Sequence, residues 1–510
     1  MSARVLVIAL DAAEATLIEC WASQGLLPAF AKLIACSRRF VLKNSLETLP
    51  GAIWPELSTG ISCGRIPHYF HPRQLHSGEA VVRPIAEDEV DPENYFWAQA
   101  SRAGRRVAVV DVPQTVPASG LNGIQLLEWG LHDRNFRIQS HPPELLDEIH
   151  VRFGTHPVLD CDQYANSEAG YQDLLQRLKW GAHLKAELCH QLLARENWDL
   201  FVCCFGESHC VGHHFWHFHD PRHPWHQPGA PAPLAHAMRD IYSALDAGVG
   251  RLLEQAGPET RVFVVASHGM GLYTGGPKLL PEFLDRIGMS ATGDSTIRRE
   301  LQPRYLVRYL PEAWIPALRR LSAMPKLRRV RRNLGGLRKQ FEEPGTRAVA
   351  VENNRCGAIR LNVKGREPYG RVEPGAEAQA VKAEIRRELL ALRHAGTDQP
   401  VVVRVSFAEE LFGPDHHPDV PDVIVVFRSD LGILETVSSP RIGTLHVSNY
   451  DPGSPRSGDH TLQSRLWVAG GGIAAGRADE PGNVLDLAST VLRELAVTPS
   501  RQLDGRPLDF

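Results

Sequence analysis

Three unbroken apolar runs constrain this chain more than any other feature. They are Val5-Leu6-Val7-Ile8-Ala9-Leu10, Leu200-Phe201-Val202-Cys203-Cys204 and Val262-Phe263-Val264-Val265-Ala266. Each has strand length rather than helix length and lacks a polar face, the pattern of a strand buried on both sides of a parallel sheet. Arg105 to Val112 reads as a further strand closed by Pro113, and Tyr171, Leu174, Leu175, Leu178, Leu184, Leu188 and Leu192 recur at helical spacing. A second helix is expected over about 233–256. Helices alternating with apolar strands predict an α/β fold, a mostly parallel central sheet with helices on both faces.

Each run stops at residues able to hold a ligand. Asp11 follows the first, at the carboxyl end of a strand, where α/β sheets bind their ligands. As the cap of a helix over about 14–36 it would be equally at home. Glu207-Ser208-His209-Cys210-Val211-Gly212-His213 follows the second; His209 and His213 are four apart, so one helical turn puts both imidazoles on one face, where they can share a metal ion. His214, His217 and His219 come next, and a histidine-rich loop without metal accounts for the same residues. Ser267-His268-Gly269-Met270-Gly271 follows the third, and His460 precedes a later strand at Arg465–Ala469. Thr48 lies in a loop before a short helix ending at Gly60, placed either to meet an anion or to cap the helix.

The chain has 510 residues, a net charge of -3 and nine cysteines without CxxC spacing. That balance argues against a nucleic-acid polymer or an anionic membrane as partner. No apolar run reaches the ~18 residues of a transmembrane segment. Unpaired cysteines and a strand starting at once predict a cytoplasmic protein. Three segments are expected: a core over 1–290, a basic helical insert with a small α/β cap over 291–400, and returning core over 401–510. The insert carries Arg298, Arg299, Arg319, Arg320, Arg328, Arg329, Arg331 and Arg332, read as the solvated face of helices. Strands at 357–363 and 400–406 around a helix at 376–394 form the cap, and Val423–Phe427 is read as returning to the core.

Taken in order, these motifs resemble the alkaline phosphatase superfamily, in particular its type I phosphodiesterase/nucleotide pyrophosphatase group. The opening strand with Asp11, the Thr-x-Pro loop from Thr48 to the Thr-Gly at Thr59-Gly60, Glu207 to His213, Ser267-His268-Gly269-Met270 and His460 match its motifs. Asn362 to Pro368 and Val420-Pro421-Asp422 are further signatures. The resemblance implies a metal-dependent hydrolase of small-molecule phosphate esters, diesters before monoesters. It implies zinc-like ions at two sites: His209, His213 and His460 at one, Asp11, Ser267 and His268 at the other with the nucleophile Thr48. Ser45 is the alternative nucleophile.

His209 and Ser267 stand where the group has aspartates, which lowers the negative charge at both sites; Glu207 could replace one of the lost carboxylates. A monoester enzyme needs a strong cation for the extra phosphate charge, and no arginine can be placed near Thr48 from sequence. A phosphate-binding relative without catalysis, and a sulfatase or phosphomutase, are the alternatives. A Cys-x-Pro-x-Arg nucleophile motif, which a sulfatase would need, is absent.

Overall fold

The computed structural model describes residues 4–66, 73–76, 81–84, 87–131, 137–158, 161, 167–272, 274–290, 337–351, 353, 355–447 and 456–510. The arginine-rich stretch over 291–336 lies outside the described residues.

Among the described residues a ten-stranded sheet forms the centre. Val5–Leu10 lies between Leu200–Phe205 and Arg261–Ala266, parallel to both, and Val107–Val110 and Gly123–Leu127 extend the parallel part. Ser464–Ala469 runs antiparallel beside Arg261–Ala266, and Arg38–Lys43 beyond it. The opening strand shows why its apolar run is continuous. Leu6, Ile8 and Leu10 face a core shared with the helices Glu168–Arg195, Glu207–His219 and Ala237–Ala256. Val5, Val7 and Ala9 face a second core, shared with Ile53–Thr59, Phe96–Arg102 and Asp486–Glu494. Successive side chains alternate between faces, and both faces are covered. The mostly parallel α/β architecture is as the sequence predicts.

The expected helix over 14–36 is two helices, Ala15–Ser23 and Pro28–Cys36, separated at Gly25, whose φ of 76° suits glycine. Glu14, not Asp11, caps the first: its carboxylate accepts from the amide of Thr16 (3.2 Å).

A smaller antiparallel sheet is ordered Ala348–Val351, Gly357–Leu361, Val423–Phe427, Val402–Phe407. Val423–Phe427 thus pairs here rather than in the large sheet, which the chain rejoins at Ser464. An apolar strand covered on both faces reads alike in either sheet, so its sequence cannot say which neighbours it takes. Asn362–Pro368 and Val420–Asp422 meet in this sheet. Arg360 binds Glu367 at 2.8 Å, both fully buried, and Arg366 binds Asp422 through two contacts of 2.7 Å. Burial opposes the charge on Asp422, but Arg366 and Arg360 draw its carboxyl down to about 2. These signatures are a structural clamp.

One buried ion pair ties the parallel strands together beneath the first ligand helix. Lys185, wholly buried, contacts Asp111 at 2.8 Å and donates to the carbonyls of Gly130 and Cys204 (2.8 and 3.2 Å). Asp111 has a φ of 56°, a left-handed value that Asp tolerates, and accepts from the amides of Trp129 and Gly130. A Cβ on Gly130 would lie 2.7 Å from the Lys185 ammonium, so any side chain there would displace it. Burial works against the ammonium, yet Asp111 and Glu207 outweigh it and hold it above its ordinary value. Removing one partner strands a buried charge. Lys185→Met is expected to lower unfolding free energy in urea by ~3–5 kcal/mol, and the double change with Asp111→Asn to recover part of the loss.

Candidate active site

The site starts from register. Leu10 is level with Phe205 on one side and Ala266 on the other. The residues after these three positions therefore emerge at one edge of the sheet: Asp11, Gly206-Glu207 and Ser267-His268. Cross-links fix the edge. The Asp11 amide donates to Phe205, the Ser267 amide to Leu10, and the Ser208 hydroxyl to the Asp11 carbonyl (2.7 Å).

His209 and His213 project from the helix Glu207–His219, as their spacing predicts. His460 comes from a two-stranded ribbon, Gly269–Leu272 with Gly458–Thr461, in which it pairs with Met270. Helix and ribbon meet at backbone contact. A Cβ on Gly212 would lie 2.5 Å from Met270, and one on Gly458 would overlap the Gly212 carbonyl oxygen. The glycine before His213 thus has a physical reason: any side chain would push the ribbon and its histidine away.

Ligand nitrogens of His209, His213 and His460 all lie within 4.8 Å of one another, and all three residues are buried. Nε2 of His209 and Nε2 of His460 are 3.0 Å apart. Two nitrogens on one tetrahedral zinc with ~2.0–2.1 Å bonds are about 3.3 Å apart, so the pair is near the required separation. His213 donates from Nδ1 to the carbonyl of Gly458 (2.7 Å), since a carbonyl only accepts. In the neutral ring that bond leaves Nε2 unprotonated, the form a metal ligand needs. This donor set fits a divalent ion of zinc type.

His268 lies beside His460, its ring centroid 4.4 Å away. Ser267 hydrogen-bonds through Oγ to Nδ1 of its neighbour His268 (3.0 Å). Asp11 accepts from Trp54 Nε1 (3.1 Å), which joins the strand end to the helix Ile53–Thr59. Glu207 is engaged elsewhere: Oε1 is 3.3 Å from Nε2 of the buried His156. Burial opposes its charge, but His156 and Lys185 together hold the carboxyl below its usual range.

Thr48 is half-buried, and its hydroxyl donates to the carbonyl of Ser45 (2.9 Å). A short 3-10 turn, Pro50–Ala52, separates it from the helix starting at Ile53, so Thr48 neither caps that helix nor lies at its amino end. Ser45 is buried beside Glu56. Two thiols flank Thr48: Cys63 Sγ lies 3.9 Å from its hydroxyl, and Cys356 Sγ 3.2 Å from its carbonyl oxygen. Burial and then Glu56 push the Cys63 thiol well above its ordinary value, and burial does the same to Cys356. Both are neutral thiols and poor nucleophiles.

Two further residues shape the site. Glu14, three positions after Asp11, accepts from the Met270 amide (3.1 Å) and the Thr461 hydroxyl (2.9 Å), clamping both ribbon strands to the sheet. Asp459, buried beside His460, accepts the His460 amide (2.8 Å). Burial raises its carboxyl, against the pull of Arg355, Arg456 and Lys278. Neither carries a local sequence signal, because each acts through partners distant in the chain.

The sequence matches the family described as type I phosphodiesterase / nucleotide pyrophosphatase over residues 5–454. No curated protein matches it. Among solved structures, alkaline phosphatase PafA superposes with a TM-score of 0.54 at 12% identity, covering 99% of this chain and 98% of its own. Phosphonoacetate hydrolase from Sinorhizobium meliloti 1021 does so with a TM-score of 0.53 at 14% identity, covering 97% and 96%. At such identities the likeness is one of fold, the alkaline-phosphatase fold.

Glu56 provides a pH test of the nucleophile loop. Its buried carboxylate accepts from the Cys63 amide (2.8 Å), and burial raises its pKa from 4.5 to about 7. The folded chain therefore binds more protons than the unfolded chain between those values. The stability it contributes is complete below 4.5 and is lost as pH rises through 7. Urea titrations of Glu56→Gln, which keeps the acceptor, are expected to lack this slope and to gain about 3 kcal/mol over the natural chain at pH 8.

Proposed function

We propose, from the premise that the chain belongs to the type I phosphodiesterase / nucleotide pyrophosphatase family, that it is a metal-dependent hydrolase of small-molecule phosphate esters, diesters foremost. The observation that carries this reading is the convergence of His209, His213 and His460, brought together from positions 251 residues apart in the sequence. Three neutral imidazoles suit zinc and would hold one ion; Asp11, His268 and Ser267, with Thr48, would hold a second. Bound there, such ions lower the pKa of an attacking hydroxyl and neutralise phosphoryl oxygens.

The chain's own residues would do the rest. Thr48 Oγ1 leaves the Ser45 carbonyl, loses its proton and attacks phosphorus. A bond forms between Oγ1 and phosphorus, the bond to the departing alcohol breaks, and the proton given up by Thr48 is returned through solvent to the alcohol oxygen. Water then cleaves the phosphothreonine, restoring the hydroxyl and releasing the phosphoryl group. Thr48 is preferred to Ser45 because it is half-buried rather than buried, and the two thiols beside it are held neutral. Nine free thiols support a reducing, cytoplasmic setting, and no helix among the described residues is long and apolar enough to cross a membrane.

Thr48→Ala is expected to lose diester turnover by several powers of ten while metal content, read by elemental analysis, stays that of the natural protein. Full turnover in that variant would move the role to Ser45 or to water.

A second reading, a one-metal relative that binds phosphate without cleaving it, is favoured by the neutral Ser267, whose hydroxyl is taken up by His268. With Asp11 as the only carboxylate among the assigned ligands, the second site is expected to fill more weakly than the three-histidine site, and better when phosphate is present. Calorimetric titration of metal into chelator-treated protein, with and without phosphate, checks this. Ser267→Asp should tighten the weaker step; two equal tight steps and no gain from Ser267→Asp would refute it.

A further inference from the structure

The turn joining Ala348–Val351 to Gly357–Leu361 in the smaller sheet is docked onto the nucleophile loop. Asn353 Nδ2 donates to the Thr48 carbonyl oxygen at 2.9 Å, and Cys356 Sγ donates to the same atom at 3.2 Å. Both residues are 1% exposed, so the dock is fixed and dry. Arg355 lies between them at the tip of this turn, half-buried. Its Nη1 is buried and has no hydrogen-bond partner among the described residues. A guanidinium donor withdrawn from water without an acceptor is costly, and an anion removes that cost.

The surroundings give the same sign. Arg355, Arg456 and Lys278, from three separate segments, all act on the one carboxylate of Asp459, whose neighbour in the chain is His460. On its other side Arg355 is anchored, through Asn353 and Cys356, to Thr48. Arg355 thus sits in a turn fastened to the residue assigned as nucleophile, and it acts on the carboxylate next to a residue assigned to the metal.

Resting on the hydrolase reading above, we propose that Arg355 is the specificity residue of the site: its guanidinium binds the additional negative charge of a terminal phosphoryl group, so that phosphate monoesters are substrates. A diester carries one negative charge, whereas a monoester near pH 7 carries between one and two, its second pKa being about 6. The planar fork of arginine matches two phosphoryl oxygens, which lysine cannot do. The expectation of diesters before monoesters rested on no arginine being placeable near Thr48. Arg355 is that arginine, and the preference narrows accordingly.

The test compares Arg355→Ala and Arg355→Lys with the natural protein. The ratio of kcat/KM for p-nitrophenyl phosphate to that for bis-p-nitrophenyl phosphate is expected to fall about ten- to hundredfold in Arg355→Ala, and by less in Arg355→Lys. A ratio unchanged, or both substrates lost in parallel, overturns the proposal. Calorimetric binding of inorganic phosphate and of dimethyl phosphate to the same metal-loaded proteins is independent of turnover. Arg355→Ala should weaken phosphate about ten- to hundredfold more than dimethyl phosphate. If the natural protein cleaves neither ester but shows this binding difference, the hydrolase reading falls and the role of Arg355 stands. If it binds phosphate no better than the variant does, the role of Arg355 falls, whatever the turnover.

Discussion

The level ends of three parallel strands are the constraint on which the site depends. Because Leu10, Phe205 and Ala266 share one register, the next residue of each strand reaches the same sheet edge. A slip of one residue would turn the alternating faces of the opening strand inside out, exchanging Leu6, Ile8 and Leu10 with Val5, Val7 and Ala9 between two cores of different shape. The register is therefore enforced by packing over the whole strand. The position of Asp11 relative to Ser267 and Glu207 follows from it.

The placement of charge is equally constrained. The fully buried Lys185–Asp111 pair and the Glu207–His156 contact lie under the helix that carries His209 and His213. Glu207 is thus engaged with the scaffold through His156. What reaches the site edge is mostly imidazole, with Asp11 the one carboxylate among the assigned ligands. Arg355, Arg456 and Lys278 all act on the carboxylate of Asp459, next to His460.

Much of this was legible in the sequence because it is local. Apolar runs of five and six residues identified the parallel strands, and a four-residue interval put His209 and His213 on one face of a helix. The long helix Glu168–Arg195 follows its apolar spacing almost to the residue. What was not legible depends on partners far away in the chain. Val423–Phe427 looks like a strand of the large sheet because burial on both faces is all that its composition records. Asp11 looks like a cap, and only the fold shows Glu14 in that role. Arg355 carries no motif at all; Thr48 lies more than three hundred positions away and meets the arginine's turn only when the smaller sheet packs down.

That packing has a consequence for how such proteins can be rebuilt. Leu49, Ala52 and Cys63 of the nucleophile loop share one apolar cluster with Val351, Cys356, Ala358, Val420 and Ile424 of the smaller sheet. Two hydrogen bonds to a single carbonyl oxygen seal it. The loop and the smaller sheet form one interlocked surface, although the chain writes them as separate segments. A chimera that takes the smaller sheet from a relative must bring the loop around Thr48 with it, because neither half of the joint fits a foreign partner.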